Sequence, residues 1–469
     1  IMDRPATAGR PAVSTPSLTA LLRRHHAALL LVALGLYTFT IRVWEIDRHF
    51  WMYYDQMRDW LIAVGPLGDL PLVGTPSTAG GTSLGPAFYW TLWLVAAAVG
   101  PWFEYLPHAG GVGLSALQSM ADVLLAYAIW RRLDSLALAL AVVLFAASAP
   151  HDLAVSATIW NPVLSVALAK TALALLLLWG RDPSPWRMVA VAVPAWLAVQ
   201  AHSGGLFVAA ACFLWYVLRD LSARRYRDAA ATAFTLQLVV LALQIPFLLH
   251  VLRQPAAQVA PTAILQQVGQ AGDEGVLSVS RSFHAVGDAL ETLLMNPWPA
   301  TWLPWLLVAC AAVAVARRWR EPDLLMAAVA PGAIAVVAFA SWTRPFDSYW
   351  FLPIVPSAAL LVGLALTSLP PSRAARIVPL VALAVVLAAQ PARVARSHEF
   401  LRLPEYDALV RGSRQIAKYG QPVARIEADF VDPQVDREVL FRLLGGELRA
   451  DGPIATIAAD GTVTFARGR

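Results

Sequence analysis

From about residue 27 to 391 the chain alternates between long apolar runs and short polar breaks. The first run covers 27–45, and others follow at 112–130, 135–149, 162–180, 187–201, 204–219, 229–252, 300–316, 324–342, 350–368 and 375–391. Each approaches the roughly 20 residues that a helix needs to cross hydrocarbon, where every backbone amide must be bonded within the segment. The pattern predicts an all-α polytopic membrane protein with about eleven crossings, in a range of ten to thirteen. One further run, 86–100, is short and aromatic, and whether it crosses is open.

Arginine placement bears on that question. Arg131-Arg132, Arg181 with Arg187, the group Arg219, Arg224, Arg225 and Arg227, the group Arg317, Arg318 and Arg320, and Arg373 with Arg376 fall on alternate breaks. If those breaks are cytoplasmic, 86–100 does not cross, and it reads as an interfacial or re-entrant helix. The whole of 46–111 then forms a first outer loop. The other outer segments are 150–161, the turn His202-Ser203-Gly204-Gly205, the second large loop 253–299, 343–349, and everything after 391.

The pattern changes beyond 391. A helical stretch at 405–418 precedes Ile454 to Phe465, which reads as two short strands around an Asp460-Gly461 turn. The expected organisation is a cytoplasmic tail (1–26), a transmembrane domain (27–391) and a small α/β extracytoplasmic domain (392–469). Residues 1–18, rich in Pro, Ala, Ser and Thr, are expected to be disordered. The first apolar run is too long for a secretory signal and lacks a small-residue cleavage site, so a retained anchor is expected.

Composition agrees with the membrane assignment. Hydrophobic residues make up 58% and charged residues 14%, and the mean hydropathy is +0.58, outside the soluble norm. The net charge of +5 comes mostly from arginines in short loops, which fits a topology signal and not a nucleic-acid partner. Cys212 and Cys310 both lie inside apolar runs and read as small buried residues. Gly80-Gly81 lacks the lysine and helix context of a phosphate loop, and no His/Cys/Asp group has zinc spacing. With no soluble domain large enough for a nucleotide sugar, an activated substrate would reach this chain from the membrane.

The polar residues that remain gather on the outer side. In Tyr53-Tyr54-Asp55-Gln56-Met57-Arg58-Asp59-Trp60 two carboxylates at i and i+4 share one helix face, and Arg58 can orient or neutralise either. Interfacial anchoring would also account for these residue types. Trp160-Asn161-Pro162 opens a span, where Asn is a good cap and Pro a good first residue. Gln200 and His202 close the next outer corner, where a lone His is more often a satisfied turn residue than a ligand. In Arg344-Pro345-Phe346-Asp347-Ser348-Tyr349-Trp350 the arginine fork suits lipid phosphate or snorkelling to headgroups. Asp122 and Lys170 fall near the middle of spans, where a lone charge is costly, and are expected to pair with each other or with neutral donors. A transporter's proton relay is the alternative.

Taken in order, Tyr54-Asp55-Gln56-Met57-Arg58-Asp59, Gly68-Asp69-Leu70-Pro71-Leu72, Gly85-Pro86-Ala87-Phe88-Tyr89-Trp90, Trp160-Asn161-Pro162 and Gln200-Ala201-His202 resemble bacterial GT-C integral-membrane glycosyltransferases. These are the class of the protein O-mannosyltransferases and aminoarabinose transferases (glycosyltransferase family 39-like). The resemblance covers about residues 27 to 210 well and 344 to 356 more loosely. It implies a GT-C bundle with juxtamembrane helices in the first outer loop, and transfer of a sugar from a polyprenyl-phosphate donor to an envelope acceptor at the outer face.

The resemblance also implies roles for single residues. Asp55 takes the place of the general base. Arg58 and Asp59 hold the loop or contact the donor, with Tyr54, Tyr89, Trp160, Asn161, Gln200 and Asp347 as further substrate contacts. Arg344, Tyr349 and His202 face the leaving lipid phosphate. Two departures stand out. Relatives often carry Asp-Glu where this chain has Asp55-Gln56, which weakens the case for a divalent metal without closing it. Gly85-Pro86 also supplies no lysine before the aromatic helix, leaving Arg344 as the candidate phosphate partner. Competing classes are a transporter or flippase with Asp122 and Lys170 in its path, and a non-catalytic envelope scaffold.

Overall fold

The computed structural model describes residues 18–46, 50–76, 82, 84–103, 105–182, 184–253, 278–294, 302–340, 347–368, 373–400, 404–420, 422–430 and 435–466. Three expectations lie outside these residues: the disordered N-terminus, Gly80-Gly81 and Arg344. So does most of the 253–299 loop.

The apolar runs fold as helices. They are α1 (Leu18–Val43), α4 (Leu106–Leu133), α5 (Leu136–Ala147), α7 (Asn161–Trp179), α8 (Pro185–Ala201), α9 (Leu206–Ser222), α10 (Tyr226–Arg253), α12 (Leu303–Arg318), α13 (Pro322–Ala328), α14 (Ala330–Ala338), α15 (Val355–Thr367) and α16 (Arg373–Phe400). Shorter helices α2 (Tyr54–Ala63), α3 (Ala87–Val99), α6 (Pro150–Ser156) and α11 (Val279–Leu294) fill the connections. Among the described residues seven segments are long and apolar enough to cross a membrane, or eight if one bent pair counts as a single span. The chain is a multi-pass membrane protein.

One expected span ends in a sharp bend and another is broken. α5 and α6 meet at 64°, because Pro150 opens α6 and drives the preceding Ala149 out of helical geometry, to φ −57 and ψ 122. The run 324–342 is divided into α13 and α14 at Val329, two residues before Pro331. The doubtful run 86–100 forms α3, 13 residues long, and at about 1.5 Å per residue it reaches only about two thirds of a hydrocarbon core.

Small residues hold the centre together. Ala167, Ala169, Ala172 and Ala174 of α7 and Ala192, Ala195 and Ala198 of α8 are all buried, and such residues let helix backbones approach in lipid, where apolar burial gives no drive to associate. The charged loops separate to one end. There Arg132 and Arg181 both grip Asp323, at 3.1 Å each, Arg318 pairs with Glu321 at 2.9 Å, and Arg219 donates to the Asp182 carbonyl at 3.0 Å. Four of the five arginine groups predicted to share a side, those of Arg132, Arg181, Arg219 and Arg318, therefore do share one. At the opposite end Thr158 donates to the Trp51 carbonyl at 2.7 Å and Arg393 to the Ser148 carbonyl at 2.8 Å.

After α16 come α17 (Pro404–Lys418), α18 (Arg437–Leu443) and a three-stranded sheet, β1 (Arg425–Ala428), β2 (Ile454–Ile457) and β3 (Val463–Ala466). β2 and β3 are the antiparallel pair expected around Asp460-Gly461, and β1 lies parallel to β2. α17 meets the opposite end of the bundle. Its Tyr406 is buried beside Tyr105 and the Met52 backbone, and the Arg414 guanidinium lies 5.5 Å from the centre of the Tyr105 ring.

Candidate functional site

The site begins with how α2 starts. Gln56 is buried, and its side-chain oxygen accepts the Tyr53 N–H at 3.0 Å, satisfying one of the free donors at a helix start. The residue next to Asp55 is thus taken up by the cap. Asp55 and Asp59 project from the same face, with Arg58 between them. Its Nη1 donates to Asp55 Oδ1 at 2.7 Å, while Nε and Nη2 donate to Asp59 Oδ1 at 3.0 and 2.8 Å. Tyr89, from α3, donates its hydroxyl to that same oxygen at 2.9 Å.

The two carboxylates live in different environments. The Asp55 side chain is 60% exposed and that of Asp59 only 5%. Burial raises Asp59 to about 6, although Arg58 and the Tyr89 hydrogen bond pull the other way. Burial and the neighbouring Asp59 push the Tyr89 hydroxyl above its ordinary range. Tyr54, beside Asp55, is exposed.

A second group of predicted residues meets at the same end. Trp51 touches Tyr53, with ring centres 4.7 Å apart, and Trp160 at 6.2 Å. Trp160 meets Tyr349 at 4.7 Å, and Tyr349 meets His202 at 5.6 Å. An aromatic path therefore runs from the start of α2 to the His202 corner. A second route closes the ring: Gly85 lies against the Gln200 side chain so tightly that a Cβ would collide with it, and Tyr89 follows one turn later. Gln200 donates to the Leu243 carbonyl at 2.7 Å. Gly204 is needed for a similar reason, since the Trp350 carbonyl occupies the space of a side chain there.

Two expected roles change. Asn161 does not cap α7, whose cap position is Trp160 without a side-chain bond. Its amide instead donates to the Ala201 carbonyl at 2.9 Å and to Thr75 Oγ1 at 3.1 Å, tying two corners and the first loop together. His202 accepts the Gly204 N–H through Nδ1 at 3.1 Å, and burial lowers it to about 4. A neutral imidazole can offer a hydrogen to a phosphate but not the positive charge expected of it. Asp347 is exposed at the start of the Ser348–Ile354 turn of 3-10 helix.

Asp122 and Lys170 do pair, at 2.9 Å, but within a larger group. Arg42 of α1 lies 2.7 Å from Asp122 and 3.6 Å from Asp152 of α6, and Lys170 lies 3.8 Å from Asp152. Gln118 and Ser119 of α4 bond Asp152 and Arg42 at 3.3 and 3.0 Å. All four charged side chains are at most 4% exposed. Sequence reading missed Arg42 and Asp152, along with Trp51, Thr75 and the capping role of Gln56. For Gln56 a signal existed, in its place three residues after the helix cap.

Among the described residues no group of three or more His, Cys, Asp or Glu could hold a metal ion. Around Asp55 the donor set also fits a divalent ion poorly, since its neighbour is a guanidinium and the adjacent Gln56 is turned into the cap.

The bundle, the juxtamembrane helices α2 and α3 and the terminal three-stranded sheet define a GT-C-fold membrane protein. The fold is shared with ArnT from Cupriavidus metallidurans, solved in the apo state, at a TM-score of 0.55 and 15% identity, over 91% of this chain and 86% of that one. The same protein bound to undecaprenyl phosphate gives a TM-score of 0.51 at 16% identity, over 90% and 85% of the two chains. No family model matches the sequence, and no curated protein matches it.

Proposed function

We propose that this chain is a glycosyltransferase that moves a sugar from a polyprenyl-phosphate donor to an envelope acceptor, such as lipid A or lipopolysaccharide, another glycan, a lipid or a protein. The reaction is assigned to the periplasmic face of a bacterial inner membrane. The observation that carries the reading is an exposed carboxylate, Asp55, held by a fixed cation on a short helix at the end of a GT-C bundle where the polar corners converge. ArnT, which shares the fold, has been solved with undecaprenyl phosphate bound.

In this scheme Asp55 takes the proton of an acceptor hydroxyl. The freed oxygen bonds to the anomeric carbon from the face opposite the leaving group, with inversion. The bond from that carbon to the phosphate oxygen breaks, and its electron pair leaves on the polyprenyl phosphate. Developing charge there needs preorganised partners. Arg344 and Tyr349 are the assigned ones, with His202 offering a neutral donor. Trp160, Tyr349 and Tyr54 supply aromatic surface for the sugar and acceptor.

The test uses membranes from a strain lacking the gene, which carry the native donor and acceptor, with purified protein added and products read by mass spectrometry. Wild-type protein should add one sugar to one envelope component. Asp55→Asn should lose on the order of 10²–10⁴ in rate while still binding undecaprenyl phosphate. Undiminished transfer by this variant would remove Asp55 as base. The transporter alternative put Asp122 and Lys170 in a solute path, and their sealed, charge-balanced pairing with Arg42 and Asp152 speaks against one there.

A further inference from the structure

We infer that Asp59 and Tyr89 are positioning residues, which together lock the Arg58 guanidinium so that its remaining corner holds the Asp55 carboxylate in one orientation. The inference rests on the reading of Asp55 as the base, and it takes Asp59 and Tyr89 out of the set of substrate contacts.

An arginine three residues from an exposed aspartate makes a weak surface pair, and both side chains keep other rotamers. Here all three guanidinium nitrogens are engaged, and two of them are committed to the buried side, on Asp59 Oδ1. That oxygen also receives the Tyr89 hydroxyl, so three donors converge on one acceptor inside the protein. Asp59 and Tyr89 are 4% and 2% exposed. The planar fork is thereby fixed from behind, and its third nitrogen, Nη1, points at Asp55 Oδ1. Asp55, at 60% exposure against 26% for Arg58, is the member of this bonded group most open to a reacting molecule.

The arrangement gives α3 a purpose that its sequence does not advertise. This helix is too short to span, yet its first turn, set against Gln200 through Gly85, fixes Tyr89. The His202 corner is thus linked to the geometry of the base. The groups facing Asp59 are Arg58 and Asp55 from its own helix and Tyr89 from α3. Protonating Asp59 removes the charge that holds the fork, so the rate should fall as pH drops through about 6.

The experiment measures initial rates against pH for the full-length chain in membranes from the gene-deletion strain, with undecaprenyl phosphate binding as a second readout. Asp59→Asn should lower the rate by on the order of 10²-fold, since a misplaced base can lose that much. It should also abolish the acid limb near pH 6, because an amide does not titrate there, while undecaprenyl phosphate binding is retained. Tyr89→Phe should lower the rate about tenfold, as expected for losing one hydrogen bond to a charged group. An Asp59→Asn protein with the wild-type rate would overturn the inference, as would a slow one that keeps the wild-type acid limb. If Asp55→Asn is inactive while both anchor variants behave as wild type, this inference alone fails. If Asp55→Asn transfers normally, the assigned base fails first.

Discussion

Two charged groups in this molecule are built from the same residue types and have opposite designs. Around Lys170, two cations meet two carboxylates from four helices, sealed from solvent and closed on themselves. Around Arg58, one cation serves two carboxylates, and the surplus one, Asp55, stands 60% exposed. Buried charges are tolerable only when matched, since an unmatched one carries the whole desolvation cost. The sealed group can therefore fasten helices but has nothing left to offer a substrate. The open group has a carboxylate to spare and a reason to hold it still. On the proposed reading of Asp55 as the base, charge balance, more than the presence of charge, separates fastening from chemistry.

The contrast breaks most visibly if the sealed group is unbalanced. Asp122→Ala leaves Arg42 and Lys170 sharing Asp152, which lies 3.6 and 3.8 Å away. The expected cost is on the order of 3–5 kcal/mol, read as a lower thermal midpoint in micelles and loss of folded protein on expression. The double variant Asp122→Asn, Lys170→Met leaves Arg42 facing Asp152 one to one, and it should be more stable than Asp122→Ala and still transfer sugar. A folded but inactive double variant would mean that the sealed group takes part in the reaction, which would dissolve the distinction.

Much of this was readable from sequence, and the parts that were not have a common cause. Span lengths, arginine sides, the β2–β3 pair and the mutual attraction of Asp122 and Lys170 follow from local pattern or from a cost that any lone charge would incur. Arg42 and Asp152 were missed because each sits near the end of an apolar run, where a charge needs no partner to be explained. Their meeting depends on the Pro150 break, which turns α6 back across the bundle by 64°. The order of motifs pointed to one shared end but could not say which side chains face the substrate and which face each other. Asp59 and Tyr89 look like site residues in sequence, yet in space they bond one another. Arg344 lies outside the described residues, so its role rests on resemblance alone.

A smaller effect sharpens the open side of the comparison. Burial raises Asp59 from its ordinary carboxylate range to about 6, so ionising it in the folded protein costs free energy that the unfolded chain does not incur. Its contribution to stability is therefore fully present below about pH 4 and is lost as pH rises through about 6. A shift of two units corresponds to roughly 3 kcal/mol. Comparing wild type with Asp59→Asn removes the background of other titrating groups. Between pH 7 and 5 the thermal midpoint of wild type should rise relative to the variant. A constant difference across that range would show that Asp59 ionises in the fold as easily as in the unfolded chain, and its burial would then be the wrong account of the anchor.

The smallest effect tests the corner that joins the two routes into the site. If Asn161 acted as a helix cap, Asp would replace it with little loss, because the two are comparable caps. The observed role is different. The amide donates to the Ala201 carbonyl and to Thr75, and a carboxylate has no hydrogen to give a carbonyl. Asn161→Ala should cost about 1 kcal/mol, the usual worth of a neutral hydrogen bond. Asn161→Asp should cost more, because it sets a negative charge against an oxygen that only accepts. Thermal midpoints of the two variants decide between the roles. If Asp is better tolerated than Ala, Asn161 caps α7 after all, and the His202 corner is tied to the first loop by its aromatic rings and by the packing of Gly85 against Gln200.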